Sequence, residues 1–188
     1  MSSRANLGMF SSLLEAPVKS PLPENEGSRI ESLHSFRILG TPCEQGFDDI
    51  AHLAVLMCDT PVAVIALVDE QRVWFKAKIG LEVDEIPRDD SFCARAIVQS
   101  DVLIVPDPIS DKGFMNSFLV EKIGIRFYAG IPLITADKYS VGTLAVMDRV
   151  PHQMTAEQIA QSLRNLSCRS HLTLVRMRTT ISSILRAT

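Results

Sequence analysis

Cys93 is the residue whose sequence context best suits reactive chemistry. Ser91, two residues before it, is a residue type that caps helices, so the thiol is expected in the first turn of a short helix. The partial positive charge at a helix N-terminus favours a thiolate, and Arg88 and Arg95 lie nearby in the sequence. Two interpretations stay open: a redox or covalent-ligand site, or a small buried core residue, as free cysteines usually are.

Arg126 and Tyr128 form a second candidate pair. They are two residues apart in an apolar run that predicts a strand, so their side chains are expected on the same face of the sheet. If that face borders a pocket, Arg126 could hold an anion and Tyr128 could stack on a ring or donate a hydrogen bond. Alternatively, Arg126 pairs with a structural carboxylate such as Asp107 or Asp148.

Several aromatic and aliphatic residues, together with Cys93, could form one wall of a small apolar pocket. Simple packing in the core would explain the presence of these residues equally well. Phe118 is a further aromatic residue of this kind. We predict a ligand-binding set with no catalytic residues in it. The set consists of Phe92, Cys93, Ile97, Asp107, Phe114, Arg126 and Tyr128.

Metal and cofactor chemistry has little support in the sequence. The four histidines are scattered, and the four cysteines show no C-x-x-C pairing. Cys168 and His171 lie one helical turn apart, but no second ligand pair accompanies them. There is neither a phosphate-binding glycine loop nor a G-x-S-x-G nucleophile elbow. We therefore predict no metal site and no resident cofactor.

The composition is that of an ordinary globular protein. The 188 residues correspond to about one domain, with 46% hydrophobic and 22% charged residues and a net charge of −3. A basic surface for nucleic acid and a polybasic membrane anchor are both absent. The longest apolar run, 62–68, is far shorter than the ~20 residues of a membrane span. Sparse, unpaired cysteines favour a reducing compartment, so we expect a cytoplasmic protein with no nucleic-acid or membrane partner.

Hydrophobic periodicity predicts the elements that position these residues. The predicted order is two helices, a hairpin, a loop-rich middle with short helices, a second hairpin and a long helix. This order indicates an α/β chain of the α+β type with an antiparallel sheet. Capping boxes at Ser28–Glu31 and Thr155–Gln158 are predicted to open the first and last helices. The predicted bounds are 28–39 and 47–57 for the first helices, 62–79 and 125–147 for the hairpins, 84–90 for a charged loop, and 155–185 for the last helix.

Ordered blocks of sequence also carry a family resemblance. They include R-I-L-G-T-P at 37–42, W-F-K at 74–76, S-F-C-A at 91–94, I-R-F-Y-A-G at 125–130 and G-T-L at 142–144. In order and spacing they resemble the GAF domain, a cytosolic sensory module, as found before the output domains of bacterial histidine kinases and cyclic-dinucleotide synthases. The resemblance covers about residues 29–175. It implies a six-stranded antiparallel sheet with terminal helices on one face and short helices and loops enclosing a small-ligand pocket on the other.

These observations divide the chain into a flexible leader at 1–27, a GAF domain at 28–175 and a C-terminal helical extension at 176–188. We expect a non-enzymatic sensory module that relays the ligand or redox state of its pocket to the terminal helices and a dimer interface. Its expected partners are an unidentified small molecule and a downstream output domain or signalling protein. The alternative is an enzyme that resembles free-methionine sulfoxide reductases, which also use the GAF fold, with Cys93 as the reactive thiol.

The last predicted helix also carries an apolar stripe. Leu174, Met177, Ile181 and Ile184 follow the 3-4 spacing of a coiled-coil seam. We predict that the first half of this helix packs against the domain's own sheet and that the second half pairs in a two-fold homodimer. The alternative is a monomer whose tail folds back onto the domain.

Overall fold

The centre of the molecule is a six-stranded antiparallel sheet. The structure, a computed structural model, describes residues 19–150, 152 and 155–167. The strands are β1 (Val62–Val68), β2 (Arg72–Ile79), β3 (Glu85–Pro87), β4 (Leu103–Val105), β5 (Phe127–Ile134) and β6 (Ser140–Asp148). Their order across the sheet is β3-β2-β1-β6-β5-β4, with antiparallel pairing between all neighbours. The predicted fold class is therefore confirmed.

Long helices cover one face of this sheet and short helices the other. The helices are α1 (Glu26–Ser35), α2 (Gln45–Cys58), α3 (Phe92–Ala96), α4 (Phe118–Glu121) and α5, which occupies residues 156–167. A 3₁₀ turn, Arg88–Asp90, leads directly towards α3.

Burial of the central strands on both faces explains why their sequences are continuously apolar. Every residue of β1 is buried, and β1 lies between β2 and β6 in the middle of the sheet. The two predicted hairpins are present: Val68 pairs with Val73 across one turn, and Leu133 pairs with Gly142 near the other.

Alternation along these strands produces two separate cores. We call the core on the side of α1, α2 and α5 the helix face, and the core on the side of α3 and α4 the pocket face. Representative members of the helix face are Leu33, Phe47, Ile65, Leu144 and Leu163. Representative members of the pocket face are Val64, Phe92, Leu119, Tyr128 and Met147.

The first helix differs from its prediction at both ends. It begins at Glu26 with Asn25 as its N-cap, so the predicted capping box at Ser28 is wrong. It ends at Ser35 because Arg37 adopts a left-handed backbone conformation with φ of 53°, which turns the chain before Gly40.

Two further predictions need correction. Residues 84–90, predicted as a charged loop, contain β3 and the 3₁₀ turn, because backbone pairing with β2 requires no apolar side chains. The sequence also predicts one apolar face on the second helix, made of Phe47, Ile50, Leu53, Ala54 and Met57, and two of these residues lie outside the core. Leu53 and Met57 are 37% and 40% exposed, while Ala51 and Cys58 are buried in their place.

The predicted capping box of the last helix is confirmed. The backbone N–H of Gln158 donates to Thr155 Oγ1 at 3.2 Å, and the backbone N–H of Thr155 donates to Gln158 Oε1 at 2.9 Å. Leu163 and Leu166 are buried in the helix face. The predicted coiled-coil seam, as well as Cys168 and His171, lies outside the described residues. Across 19–150, 152 and 155–167, no helix is long and apolar enough to cross a membrane.

Candidate functional site

A local hydrogen bond fixes the start of α3, as the sequence predicts. The backbone N–H of Cys93 donates to Ser91 Oγ at 3.0 Å. The helix then packs against β5, β6 and β1. This places both Phe92 and Cys93 inside the pocket face, with relative exposures of 0% and 1%.

Cys93 and Tyr128 form a buried polar contact. The phenol of Tyr128 donates a hydrogen bond to Cys93 Sγ at 3.7 Å, and neither side chain is accessible to solvent. Burial raises the pKa of the Cys93 thiol, and hydrogen bonds offset only part of this effect. Burial also raises the pKa of Tyr128. Of the two interpretations of Cys93, the structure favours a buried core residue over a reactive thiolate, because desolvation outweighs the helix dipole.

The two arginines near Cys93 in the sequence do not reverse this effect. Arg95 donates to the backbone oxygen of Gly113 at 2.6 Å and lies over the ring of Phe114 at 4.5 Å. Arg88 hydrogen bonds to Glu26. Both guanidinium groups thus have partners other than the thiol.

Two residues that sequence reasoning missed complete the polar contact. The Tyr128 ring lies across Gly130, where a Cβ atom would overlap the phenol oxygen. The Thr143 hydroxyl lies beside both Cys93 and Tyr128, but it is buried without a hydrogen bond of ordinary geometry to any described residue. A glycine inside a buried strand often marks such a close approach, so Gly130 carried a usable signal. We call Cys93, Tyr128 and Thr143 the polar cluster.

Aromatic rings separate the polar cluster from the outside. The ring of Phe92 stacks on Tyr128 with centroids 4.9 Å apart and contacts Phe114 at 4.6 Å. Ile97, at the end of α3, is buried in the same core. Five predicted site residues, namely Phe92, Cys93, Ile97, Phe114 and Tyr128, therefore come together, and their role in ligand binding stays a prediction.

An open groove of about 410 Å³ lies on the outer side of Phe114. Its walls are β4, residues 106–107 and 110–112, and Phe114 itself. Asp107, Asp111 and Lys112 give this groove both signs of charge. Phe114 is thus a wall shared by the groove and the pocket face, since it also contacts Phe92.

Arg126 and Asp107 pair with each other beside the groove. Arg126 Nε lies 3.3 Å from Asp107 Oδ1, and both side chains are more than one third exposed. The hydrogen bond from Arg126 lowers the pKa of Asp107. Of the two interpretations of Arg126, the structure favours pairing with a carboxylate, and the carboxylate is that of Asp107. Asp148 contributes its backbone oxygen, which accepts the N–H of Arg126 at 2.7 Å.

Metal ligands do not cluster in the described part of the chain. Within it, no group of three or more histidine, cysteine, aspartate or glutamate side chains is arranged to hold a metal ion.

A family model decides the identity of the fold. The GAF domain model matches residues 42–166, two thirds of the chain. This chain belongs to the GAF domain family. The resemblance inferred from the sequence blocks is thereby confirmed, and the antiparallel sheet described above is the sheet of a GAF domain.

A curated relative corrects one expectation. Over 148 residues the chain is 38% identical to a cyclic di-GMP phosphodiesterase of Pseudomonas aeruginosa. The match covers 78% of this chain and 25% of that protein, so the chain spans about a quarter of the length of its relative. Because that relative is an enzyme, our expectation of a non-enzymatic protein is wrong. The similarity itself covers the GAF region.

Solved GAF structures share the fold at low sequence identity. A free methionine-R-sulfoxide reductase of Neisseria meningitidis, in complex with its substrate, is 16% identical with a TM-score of 0.60, covering 88% of this chain and 98% of that one. The GAF domain region of a Geobacter sulfurreducens membrane protein is 20% identical with a TM-score of 0.55, covering 80% and 97%. The blue-light-absorbing form of the Thermosynechococcus elongatus PixJ GAF domain is 16% identical with a TM-score of 0.57, covering 85% and 94%.

Proposed function

We propose that this chain is the sensory GAF region of a protein that hydrolyses cyclic di-GMP, and that a small molecule bound in the pocket face controls that activity. The 38% identity to a cyclic di-GMP phosphodiesterase supports the choice of output. The organisation of the pocket face supports the sensory role.

The observation that carries the sensory role is the polar cluster, in which the Thr143 hydroxyl is buried beside Cys93 and Tyr128 without a hydrogen bond of ordinary geometry to any described residue. A buried polar group without a partner costs about 1–3 kcal/mol, and apolar cores usually exclude such groups. A ligand with a polar atom beside Thr143 would supply a better-aligned partner and recover part of that energy, a contact that an apolar residue at this position could not make. The expected ligand is therefore small and partly apolar, with at least one hydrogen-bonding group.

Phe114 supplies the route for such a ligand. It separates the groove from Phe92 and the polar cluster, and it lies in an irregular segment between β4 and α4. Displacing the ring of Phe114 would extend the groove to Phe92 and towards the polar cluster. The ligand then acts by population shift, since it binds better to the open arrangement than to the packed one.

The properties of the polar cluster favour binding of a small molecule over a redox reaction at Cys93. Cys93 is 1% exposed, and burial raises the pKa of its thiol, so the reactive thiolate is disfavoured. Cys58, a second free cysteine, lies in the helix face on the other side of the sheet. It is therefore poorly placed as a resolving thiol for the reductase-like alternative. In our proposal Cys93 accepts the hydrogen bond of Tyr128 and holds the phenol in place.

Metabolite capture tests the sensory half of this proposal. The purified protein is exposed to a bacterial metabolite extract, washed, and analysed by mass spectrometry for retained small molecules. Thr143→Val keeps the shape of the side chain and removes its hydroxyl, so it should lose the retained molecule. The matched control is Thr135→Val, since Thr135 is also buried but lies at the turn between β5 and β6. Equal retention by Thr143→Val, or no retained molecule at all, would overturn the sensory half.

An enzyme assay tests the output half separately. The complete gene product is incubated with cyclic di-GMP, and the linear dinucleotide is measured. We expect hydrolysis, with a rate that changes when the captured metabolite is added. Absence of hydrolysis would refute the proposed output and leave the capture result untouched.

We also propose that two copies pair through the C-terminal stripe at 174–184. The support is the 3-4 spacing of Leu174, Met177, Ile181 and Ile184 in the sequence, which continues beyond the part of α5 that the domain's own core already buries. Light scattering at micromolar concentration should give a dimeric mass, and Met177→Asp should reduce it to that of a monomer. A monomeric mass for the unmodified protein would contradict the pairing.

A further inference from the structure

A buried charge cluster joins α1 to the segment that precedes α3. Arg29 in α1 and Arg88 in the 3₁₀ turn have side chains that are 0% and 4% exposed, and both hydrogen bond to Glu26. Arg29 uses two nitrogens for this purpose, with Nε and Nη2 each 2.8 Å from a Glu26 oxygen. Arg88 Nη1 shares the Oε1 atom. Two buried cations thus depend on one carboxylate.

Arg88 has few other partners to hold it. Its Nη1 atom also donates to the backbone oxygen of Asp69 at 3.0 Å, while Nε and Nη2 are buried without partners among the described residues. Within those residues, Glu26 is the only carboxylate that hydrogen bonds to Arg88. Loss of Glu26 would leave an uncompensated buried guanidinium, a strongly unfavourable state.

The segment before α1 is fixed to the same turn. The backbone N–H of Ser20 donates to Asp89 Oδ1 at 3.0 Å, and Ser20 Oγ donates to the backbone oxygen of Arg88 at 3.3 Å. Ser20 is 6% exposed. The predicted leader at 1–27 therefore includes two residues, Ser20 and Glu26, that contact the domain.

The 3₁₀ turn passes directly into the proposed sensory site. The backbone oxygen of Arg88 also accepts the N–H of Ser91 at 3.1 Å, and Ser91 caps the helix that carries Cys93. Only three residues separate Arg88 from the first residue of α3. A displacement of the start of α3 should therefore also displace Arg88. The opposite end of the contact, α1, belongs to the helix face.

We propose that the contact between Glu26 and Arg88 is a latch that couples the position of α3 on the pocket face to that of α1 on the helix face. The coupling runs around the end of the sheet at the turn between β1 and β2, where the backbone oxygen of Asp69 accepts from Arg88. Movement of α3 shifts Arg88, and the shared carboxylate passes the shift to Arg29 and α1. The latch builds on the proposed sensory role, but its test requires neither a ligand nor an output activity.

Amide hydrogen exchange of the whole 188-residue chain tests the latch. Glu26→Gln removes the charge that the two arginines share. The measured quantity is exchange in 26–35 and in 92–97, each relative to exchange in 62–68, the central strand. We expect both ratios to rise roughly tenfold, because the loss of one contact loosens helices on opposite faces.

Two control variants separate coupling from general destabilisation. Glu31→Gln changes an exposed glutamate of the same helix and should leave both ratios unchanged. Leu163→Ala destabilises the helix face by removing a buried side chain, and should raise exchange without a selective rise in 92–97. If Glu26→Gln loosens 26–35 alone, Glu26 is a local anchor of α1 and the latch is refuted.

A milder variant keeps the proposal testable if Glu26→Gln does not fold. Ser20→Ala removes only hydroxyl hydrogen bonds to the 3₁₀ turn and leaves the charges in place. The same two ratios should then rise by about two- to threefold, as expected for the loss of weak hydrogen bonds. Unchanged exchange in 92–97 would refute the latch in this variant as well. A failed metabolite capture would leave either exchange result standing.

Discussion

The two faces of one sheet are built by different means. The helix face has α1 and α2, of 10 and 14 residues, whereas the pocket face has α3 and α4, of five and four residues. Long helices satisfy most of their backbone groups internally, while four- and five-residue helices depend on caps and packing. The difference indicates that the helix face holds the fold together, whereas the pocket face can rearrange at lower cost.

Two buried polar groups, one on each face, differ in how well they are satisfied. On the helix face, the Lys76 ammonium is buried and donates to Thr41 Oγ1 at 2.7 Å, to the backbone oxygen of Pro42 at 2.8 Å, and to Glu44 Oε1 at 2.6 Å. All three of its N–H groups have acceptors. On the pocket face the Thr143 hydroxyl has no acceptor at ordinary hydrogen-bond geometry among the described residues. A satisfied buried group fixes one arrangement, whereas an unsatisfied one leaves a stabilising interaction for a ligand to make.

Truncation on the helix face should have the largest effect. Phe47 is completely buried between α2 and the sheet, so Phe47→Ala should lower the free energy of unfolding by about 3–5 kcal/mol. Urea denaturation followed by circular dichroism measures this loss. The matched control is Leu56→Ala on the same helix, where the side chain is 77% exposed and the change should stay below ~0.5 kcal/mol. A small loss for Phe47→Ala would remove the contrast between the faces.

Acid should loosen the two faces together, because Glu26 lies where they meet. Burial raises the pKa of Glu26, but hydrogen bonds and charges from Arg29 and Arg88 outweigh it and lower the pKa from 4.5 to about 2. The stabilisation is therefore complete above the unfolded pKa near 4.5 and is lost as the pH falls towards 2. The pKa of Asp69 is also lowered, so its contribution is lost in the same direction.

The expected loss attributable to Glu26 is about 2–3 kcal/mol across that range. Urea denaturation at a series of pH values from 6 down to 2 measures it, and Glu26→Gln should flatten the curve. His34, which contacts Asp69, provides a check: His34→Gln should alter the curve without removing the Glu26 contribution. An unchanged slope in Glu26→Gln would show that its carboxylate is not the titrating group.

The close approach of Tyr128 to Gly130 predicts an intermediate effect on the pocket face. Gly130→Ala places a methyl group where the phenol lies, so the buried ring must move or the strand must shift. We expect a loss of about 2 kcal/mol and a weakened near-ultraviolet dichroism signal from Tyr128. Gly27→Ala in α1 is the control, since open space surrounds Gly27 and alanine favours helix. An equal change in the free energy of unfolding for Gly130→Ala and Gly27→Ala would mean that the Tyr128 ring can move aside without cost.

Sequence reasoning predicted the sheet well because its signals are local. The apolar run at 62–68 and the short turn before Arg72 fix a buried hairpin without knowledge of the rest of the chain. The edge strand β3 was missed, because Glu85, Ile86 and Pro87 carry no strand pattern and pair through their backbone.

The candidate site was only partly predictable, for a related reason. The segment around Cys93 and the alternation that includes Tyr128 placed both residues near a common pocket. Their contact depends on Gly130, which has no Cβ and so leaves room for the Tyr128 phenol, and Thr143 from a third segment lies beside it. Neither feature is visible in local periodicity. The latch is still less local, since Glu26 and Arg88 are 62 residues apart and Glu26 falls in a stretch predicted as leader.

The smallest effect on stability is expected from removing one oxygen atom in the polar cluster. Tyr128→Phe keeps the ring stacked on Phe92 and deletes the hydrogen bond to Cys93 Sγ. The expected loss is about 0.5–1.5 kcal/mol, measured by urea denaturation, because the thiol is a weak acceptor and little volume is lost. The chain has only two tyrosines, and the other, Tyr139, packs against the helix face.

Tyr139→Phe is therefore the matched variant for the opposite face. If the pocket face is the adaptable one, Tyr128→Phe should change hydrogen exchange in 92–97 and retention of the captured metabolite, while Tyr139→Phe changes neither. Because both variants should lower the free energy of unfolding only slightly, this pattern would show that the two faces differ in hydrogen exchange and ligand retention and not in stability. Identical responses would mean that a hydroxyl on the pocket face has no special role, and the division of the sheet into a supporting side and a sensing side would fail.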